Sequence, residues 1–182
     1  MSDDTAFRPA ERADAAVLAE LVNYAGEGIP LYLWEQMKEP GETAWDAGRR
    51  RAARDEGAFS YRNAVVIECE GEAAGALIGY GIADEPEPVP DDFPAMFRPL
   101  QELENLAPGT WYVNVLAVIP AFRNRGLGRR LLARAEETGR AEHRRGMSII
   151  VADANAGAVR LYERAGYREA ARRPMVKESW AG

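Results

Sequence analysis

Cysteine and histidine are almost absent from this sequence of 182 residues, which contains one of each, Cys69 and His143. A lone cysteine cannot form an intramolecular disulfide bond, and one cysteine with one histidine cannot supply the four ligands of a structural zinc site. We therefore expect neither disulfides nor a bound metal. Cys69 is interpreted as a small buried residue, and His143 as a solvated residue near a helix end.

Long apolar runs are also missing. No stretch reaches the roughly 18 apolar residues that a transmembrane helix requires. The first residues, MSDDTAFRPAERAD, are acidic where a secretory signal peptide is basic and then apolar. We therefore expect a cytoplasmic protein with no membrane partner. The length fits a single domain over residues 1–182, because a chain of this size buries roughly 70% of its unfolded surface.

Lysine is rare, since only Lys38 and Lys177 are found among 23 basic residues. The net charge of −6 conceals a division along the chain. Residues 1–118 contain 9 basic and 22 acidic side chains, whereas residues 119–182 contain 14 basic and 7 acidic ones. The two parts should prefer partners of opposite charge. A general preference for arginine in the composition is the alternative explanation.

The first part of the sequence mixes strand and helix patterns. An extended segment, Ala6–Ala10, precedes a helical pattern that stops near Gly28. Two further helical stretches follow, IPLYLWEQM and TAWDAGRRRAARDEG. Two β-rich runs separated by Glu70-Gly71-Glu72 predict a hairpin. Residues 84–109 contain six of the 11 prolines, which predicts a long irregular connection with a short helix near residues 95–105.

The second part alternates strands and helices. The run TWYVNVLAVIP predicts a strand buried on both faces and ending at Pro120. A helix follows over about residues 126–144, and MSIIVADA predicts another buried strand. NAGAVRLYERAG predicts a helix with Asn155 at the N-cap and Gly166 just past its end. Two final strands are predicted, Tyr167–Ala171 and Pro174–Trp180. Strand, helix, strand and helix in succession indicate a parallel βαβα unit within a mixed α/β fold.

The segment Arg123–Gly128 lies between the strongest predicted strand and the helix that follows it. Its two glycines allow backbone N–H groups to approach a ligand, and a helix N-terminus adds unsatisfied donors and partial positive charge. The sequence therefore predicts a site for a pyrophosphate. A third glycine is missing, so the segment is not a dinucleotide fingerprint, and without Gly-Lys-Ser/Thr it is not a P-loop. Helix packing alone is the alternative role of the glycines.

These residues carry a family resemblance. The run LAVIPAFRNRGLGRRLL resembles the acyl-CoA-binding motif of the GCN5-related N-acetyltransferase (GNAT) superfamily, in which Arg123, Gly126 and Gly128 fill the three fixed positions. NAGAVRLYERAGY is similar to the second motif of that family. The resemblance covers the chain from residue 6 to residue 180. It implies a mostly antiparallel mixed sheet with helices on both faces, and an N-acetyltransferase that uses acetyl-CoA as co-substrate.

The resemblance also implies roles for individual residues. An amide of Leu116 or Val118 would polarise the thioester carbonyl, and Tyr162 would be the general acid that protonates the departing CoA thiolate. Asn155 would hydrogen-bond the cofactor, and its alternative role is that of a plain N-cap. The alternative role of Tyr162 is packing in the core. The residues expected to bind acetyl-CoA are Leu116, Ala117, Val118, Arg123, Asn124, Arg125, Gly126, Leu127, Gly128, Arg129 and Asn155.

The general base is where the sequence departs from the family pattern. Some relatives place a glutamate on the fourth strand, at the position that Tyr112 fills here, and Asn114 lies two residues further along the same face. Neither is a carboxylate. The base is therefore Tyr112, a water molecule held by Asn114, or an acid from elsewhere such as Glu27 or Asp84. An acceptor amine of low pKa is a further alternative.

The acceptor is expected to be a small cationic amine, because the first segment and residues 84–92 are acidic. The aromatic residues of the second helical region, Tyr32, Trp34 and Trp45, either line its pocket or pack the helices. A non-catalytic acyl-CoA sensor is the alternative function. A nucleic-acid binder using Arg123–Arg145 is disfavoured because stacking aromatic residues are scarce there, so we expect no nucleic-acid partner. Family members often dimerise, which leaves a homodimer open.

Overall fold

A computed structural model describes residues 5–180, which form an α/β fold. Its elements in chain order are β1 (Thr5–Pro9), α1 (Ala15–Ala25), α2 (Ile29–Met37), α3 (Ala44–Ala52), β2 (Ala64–Cys69), β3 (Glu72–Gly81), α4 (Arg98–Glu104), β4 (Trp111–Val118), α5 (Leu127–Ala141), β5 (Met147–Ile149) and α6 (Ala156–Arg164). Every element predicted before residue 165 is present, and their order is the predicted one.

The five strands form one sheet in the order β1-β2-β3-β4-β5. The pairs β1/β2 and β2/β3 are antiparallel, and a bulge lies in β3, where Ile67 pairs with Gly75 but Glu68 pairs with Ala73. The strands β4 and β5 are joined through α5, the kind of helical crossover that parallel neighbours require. The sheet is therefore mixed and mostly antiparallel, as predicted.

The described residues divide into two compact units. The first comprises residues 5–80 and 113–135, and the second comprises residues 81–112 and 136–180. Each unit is described by itself below. A single domain over residues 1–182 stays a prediction.

Helices cover both faces of the sheet in the first unit. On one face, α1, α2 and α3 pack with the strands into a core whose buried members include Leu18, Leu21, Trp34, Ala47, Val66, Ile78 and Val115. Ile67 follows Val66 in β2 and so points to the opposite face. A Cβ atom placed on Gly75 would lie 3.3 Å from Ile67 Cγ2 and 3.3 Å from Leu131 Cδ1 of α5. The resemblance implied this two-sided arrangement.

Local signals explain where α2 and α3 begin. Gly28 precedes α2 with a φ of 92°, and Pro30 occupies its first turn, where the missing N–H is not needed. Thr43 and Asp46 form a capping box at the start of α3: Asp46 N donates to Thr43 Oγ1 at 3.2 Å, and Thr43 N donates to an Asp46 carboxylate oxygen at 2.9 Å.

The second unit contains the long proline-rich connection, which is tied down by side chains. Arg98 donates to the carbonyl of Pro90 at 2.7 Å, and Asn105 donates to the carbonyl of Glu87 at 2.7 Å. Trp111 holds the region before β5 in place, because its backbone N–H donates to the Gly146 carbonyl at 2.9 Å. These contacts satisfy polar backbone groups that an irregular segment leaves without partners in a ladder.

Two strand predictions were wrong. Within the described residues no strand follows α6, so Tyr167–Ala171 and Pro174–Trp180 are not strands. Most of residues 167–180 are exposed, and six of these 14 residues are charged. Arg172 pairs locally with Glu169 at 2.7 Å. The strand predicted over MSIIVADA keeps strand pairing only over Met147–Ile149.

The burial of β4 also differs from the prediction of two buried faces. Val113, Val115 and Ala117 are buried, but the alternate residues Asn114, Leu116 and Val118 are only half-buried. Only one face of β4 is therefore fully packed in the core, that of Val113, Val115 and Ala117. The other face keeps partly accessible side chains at positions where the resemblance expects acetyl-CoA and the acceptor.

Candidate active site

The turn between β4 and α5 has an unusual backbone. Ile119 N donates to the Ala74 carbonyl at 2.8 Å, which fixes the end of β4 against β3. Asn124 and Gly126 then adopt positive φ values of 63° and 78° on either side of Arg125. Asparagine and glycine are the residues that tolerate this region best. Alternation in the sign of φ directs successive N–H groups to one side, which is the geometry of an anion-binding nest.

The helix α5 begins directly after this turn. Leu127 is buried and anchors the first turn, and Arg130 N donates to the Gly126 carbonyl at 3.2 Å. The amides of Leu127, Gly128 and Arg129 therefore lie ahead of the first intrahelical hydrogen bond, where helix geometry provides no acceptor. No acidic side chain lies in the first turn. Together with the nest, these amides fit a pyrophosphate group.

Arg129 is exposed in this first turn and pairs with no acidic side chain in the described part of the chain. A cation at a helix N-terminus is unfavourable towards the helix dipole. A bound anion would reverse that disadvantage. Arg129 is therefore a residue that could contact an anionic ligand at this helix end.

Arg123 fastens the turn to the end of the strand. Its Nε donates to the Val118 carbonyl at 3.1 Å, and its guanidinium lies 5.8 Å from the ring centroid of Tyr24 in α1. The resemblance implied a phosphate contact for Arg123. In the structure, Arg123 holds the turn against the end of β4. Its contact with Tyr24 is not indicated by the sequence.

Arg125 lies between the two positive-φ residues and has three neighbours. It approaches Glu70 of the β2–β3 turn at 3.3 Å and the Cys69 sulfur at 3.7 Å, and its guanidinium lies 5.3 Å from the Phe122 ring centroid. Both charged side chains are largely exposed, so this ion pair is worth at most about 1 kcal/mol. Arg125 can therefore leave Glu70 for a phosphate at little cost.

The predicted contacts on β4 lie just before this turn in the first unit. Leu116 and Val118 are half-buried, whereas Ala117 is buried in the core. The candidate bases differ in accessibility: Tyr112 is buried and Asn114 is half-buried. The two carboxylates considered as bases, Glu27 and Asp84, are both exposed, and Asp84 lies 3.3 Å from Arg145.

The second unit contains the other predicted motif, on α6. The Oδ1 atom of Asn155 accepts a hydrogen bond from Ala158 N at 3.1 Å, so Asn155 is the N-cap, as predicted. Seven residues later along the helix, Tyr162 is 7% exposed. Burial raises the pKa of Tyr162 to about 12. The phenol therefore keeps its proton at neutral pH, as a general acid must.

The aromatic residues of the α2–α3 region divide between two roles. Trp34 is core, since its ring centroid lies 6.0 Å from that of Trp45 and 5.9 Å from that of Phe59. A cleft of about 560 Å³ lies between α2 and α3 and is lined by Gly28, Leu31, Tyr32, Glu35, Ala44 and Trp45. Tyr32 and Trp45 thus line this open cleft, whereas Trp34 is buried in the core.

Comparison with known proteins decides what these features belong to. The acetyltransferase (GNAT) family matches residues 30–167, which include the turn before α5 and all of the α6 motif. The chain belongs to this family. It is an acyl-CoA-dependent acetyltransferase, and the family uses acetyl-CoA.

Solved structures agree with this assignment. A crystal structure of an acetyltransferase is 25% identical over 93% of this chain and 93% of that chain, with a TM-score of 0.68. An N-acetyltransferase from Staphylococcus aureus Mu50 is 20% identical over 93% and 94% of the two chains, with a TM-score of 0.64. Aminoglycoside N-acetyltransferase AAC(6')-Iy in complex with CoA is 14% identical over 98% and 97%, with a TM-score of 0.60. The last two show a shared fold.

The enzyme has no match among curated proteins. Among residues 5–180, no helix is long and apolar enough to cross a membrane. Within the same residues, no group of three or more His, Cys, Asp or Glu side chains is arranged to hold a metal ion.

Proposed function

We propose that the enzyme transfers the acetyl group of acetyl-CoA to the primary amine of a small cationic acceptor by direct attack. The observation that carries this proposal is the exposed anion-binding turn at Asn124–Gly126, which leads into unsatisfied amides at the start of α5. A turn of this kind suits the pyrophosphate of a CoA ester. The family assignment supplies the reaction class.

In this proposal the first unit binds acetyl-CoA. The amides of Leu127, Gly128 and Arg129 and the side chains of Arg125 and Arg129 bind the pyrophosphate. Arg123 keeps the turn against β4 through the Val118 carbonyl. A backbone amide of Leu116 or Val118 donates to the thioester carbonyl oxygen, where negative charge develops during attack. In the second unit, Asn155 adds a donor from its side-chain NH2 group, because its oxygen is engaged in the helix cap.

Tyr162 supplies the proton for the leaving group. The amine nitrogen forms a bond to the carbonyl carbon, the carbon–sulfur bond breaks, and sulfur takes the electron pair. Tyr162 Oη gives its proton to that sulfur. Its raised pKa keeps this proton in place until the thiolate forms, and its burial supports a role away from bulk water.

The amine must lose a proton before it attacks, and Asn114 is the group we propose to assist. Its amide is half-buried and can hold a water molecule that accepts the proton, whereas Tyr112 is buried. A pH profile of kcat/KM for Asn114→Ala and for Tyr112→Phe tests this assignment. We expect the acidic limb to shift in Asn114→Ala only. Unchanged profiles in both variants would remove this strand as the source of the base.

A cationic acceptor is supported by exposed carboxylates in the second unit. Asp84 is neutralised in part by Arg145. The remaining acidic side chains of residues 84–92 are exposed: Glu85, Glu87, Asp91 and Asp92. One neighbour of the same fold is an aminoglycoside N-acetyltransferase. Exposed carboxylates attract cations and raise the association rate at low ionic strength.

The experiment is a thiol-release assay with acetyl-CoA and a panel of amines. The panel contains a polyamine, an aminoglycoside, a basic amino acid and a neutral-bodied monoamine of similar size. We expect turnover with at least one polycation and a KM for it that rises with salt. Acetyl-CoA binding without turnover on any amine would support the acyl-CoA sensor instead. Preference for the neutral monoamine would overturn the cationic acceptor and leave the transferase intact.

A further inference from the structure

Tyr24 brings an aromatic ring from α1 to the turn before α5. It lies in the last turn of α1 and is 43% exposed, so packing in the core explains only part of its ring. The guanidinium of Arg123 lies over this ring, 5.8 Å from its centroid. A cation within about 6 Å of an aromatic centroid is attracted by the negative face of the ring. Both residues belong to the first unit.

The backbone that carries Tyr24 is fixed by the start of α2. Gly28 N donates to the carbonyl of Asn23 at 3.1 Å, and Leu31 N donates to Asn23 Oδ1 at 3.1 Å. The first amides of a helix have no helical carbonyl to donate to, so Asn23 supplies partners that α2 needs. These hydrogen bonds also hold the end of α1. Tyr24 therefore meets Arg123 from a defined position.

Arg123 is restrained at one of its nitrogens only. Its Nε donates to the Val118 carbonyl at 3.1 Å, and it pairs with no acidic side chain among residues 5–180. A guanidinium has five N–H donors, four of them on its two terminal nitrogens. The carbonyl and the Tyr24 ring thus hold the side chain while no carboxylate occupies those four donors.

Arg125 in the same turn shows what a carboxylate partner would do instead. It lies 3.3 Å from a carboxylate oxygen of Glu70. Such a partner offsets the charge of the arginine, engages one of its donors and repels an incoming phosphate. An aromatic ring has no net charge and attracts the cation through its quadrupole. A ring can therefore orient an arginine without neutralising it.

We propose that Tyr24 is a positioning residue for acetyl-CoA binding: its ring holds the Arg123 guanidinium beside the turn and leaves the charge and the terminal donors to the pyrophosphate. This inference rests on the proposed pyrophosphate site. It adds to that site a residue of α1, outside both family motifs, that acts through Arg123. A side chain held in place before the ligand arrives loses less freedom on binding, so the effect lies in affinity.

Calorimetric titration of two variants with acetyl-CoA tests the proposal. Tyr24→Leu removes the ring, and its Kd should rise about two- to fivefold, the scale of an exposed cation–π contact. Tyr24→Phe removes only the hydroxyl and should keep the parental Kd. Both variants should keep the parental kcat at saturating acetyl-CoA and a melting temperature close to that of the parent. A loss of affinity in Tyr24→Phe as large as that in Tyr24→Leu would overturn the ring as the acting group.

A double-mutant cycle shows whether the ring acts through Arg123. In the Arg123→Gln background, Tyr24→Leu should leave the Kd for acetyl-CoA unchanged, because the cation that the ring holds is gone. The same loss of affinity in both backgrounds would assign the effect to the packing of α1 and overturn the positioning role.

The controls separate this inference from the proposed function. Tyr61→Leu removes another ring of the first unit that contacts an arginine, 5.5 Å from the guanidinium of Arg12, and should leave the Kd unchanged. If Arg123→Gln and Gly126→Ala both bind acetyl-CoA with the parental Kd, the proposed pyrophosphate site fails. If these two variants bind it weakly and Tyr24→Leu keeps the parental Kd, the positioning role fails while the site stands.

Discussion

The turn before α5 is exposed, charged and built largely from backbone amides, whereas Tyr162 is buried, neutral and a single side chain. As the proposed pyrophosphate site, the first arrangement would distribute binding over several weak groups whose charges water and salt screen. In the proposed mechanism, the second concentrates the chemistry in one side chain, that of Tyr162, which is buried. The difference implies that substitutions in the turn should act on acetyl-CoA affinity, and substitutions at Tyr162 on kcat.

The largest effect is expected at Tyr162. Replacement by phenylalanine keeps the packing and removes the proton, so kcat should fall at least about 100-fold, the lower range for a general acid. The KM for acetyl-CoA should change little. Steady-state kinetics with a melting curve check this prediction. A Tyr162→Phe variant with the parental kcat would contradict the proposal that Tyr162 acts on kcat and the turn on acetyl-CoA affinity.

Gly126→Ala should have the next largest effect. A Cβ atom there meets nothing within 4 Å, but the φ of 78° disfavours any L side chain by about 1–2 kcal/mol. The turn should relax and the KM for acetyl-CoA should rise about tenfold, with kcat at saturation largely kept.

Gly41→Ala is the matched control for Gly126→Ala, since Gly41 has a φ of 87° and equally open surroundings. It lies between α2 and α3, so it carries the same backbone strain without touching the turn. Calorimetric binding of acetyl-CoA to both variants makes the comparison. Equal losses of affinity in the two would show that strain, not the turn, is responsible.

Arg129→Ala should weaken acetyl-CoA binding about three- to tenfold and reduce its dependence on salt, because one exposed cation near the phosphates is removed. Binding titrations at low and high salt measure both quantities. Arg49→Ala is the control, because Arg49 is exposed on α3 and pairs with Asp46 at 3.1 Å. An unchanged salt dependence in Arg129→Ala would mean that the arginines cluster here only because the whole sequence prefers arginine.

Glu70→Gln should have the smallest effect and the opposite direction. It removes the ion pair with Arg125, so acetyl-CoA should bind about two- to threefold more tightly, within the range of exposed ion pairs. Glu72→Gln, two residues further along, is the control for net charge. Equal gains in both variants would assign the effect to overall charge instead of to Arg125.

The sequence predicted those parts of the fold in which local signals and tertiary packing agree. The segment IPLYLWEQM is α2 residue for residue, because a positive-φ glycine and Pro30 mark its start. Asn155 and Gly166 bound α6 for similar reasons. The prediction of two final strands was wrong. The run REAARR after Tyr167 lacks the alternation of apolar and polar residues that a half-buried strand shows, and so does not specify a partner strand.

The candidate site was predictable by motif and not by environment. The glycines and arginines of the turn were found, but the contacts of Arg123 with Tyr24 and of Arg125 with Glu70 join residues far apart in the chain. Asn124 is predicted only from its position in the motif. Its positive φ could also have been expected, because asparagine adopts this conformation more readily than most residues. The sequence analysis predicts a strand that starts at Tyr167, although a tyrosine after a helix-ending glycine also fits the Schellman pattern.

The burial of Tyr162 has a consequence for the conditions in which the enzyme works. If Tyr162 is the acid, as proposed, its pKa of about 12 keeps it protonated through pH 8 and 9, whereas an alkyl amine acceptor with an ordinary pKa near 10.4 becomes increasingly reactive. The rate should therefore climb through pH 8 and 9 without the falling limb that a titrating acid imposes.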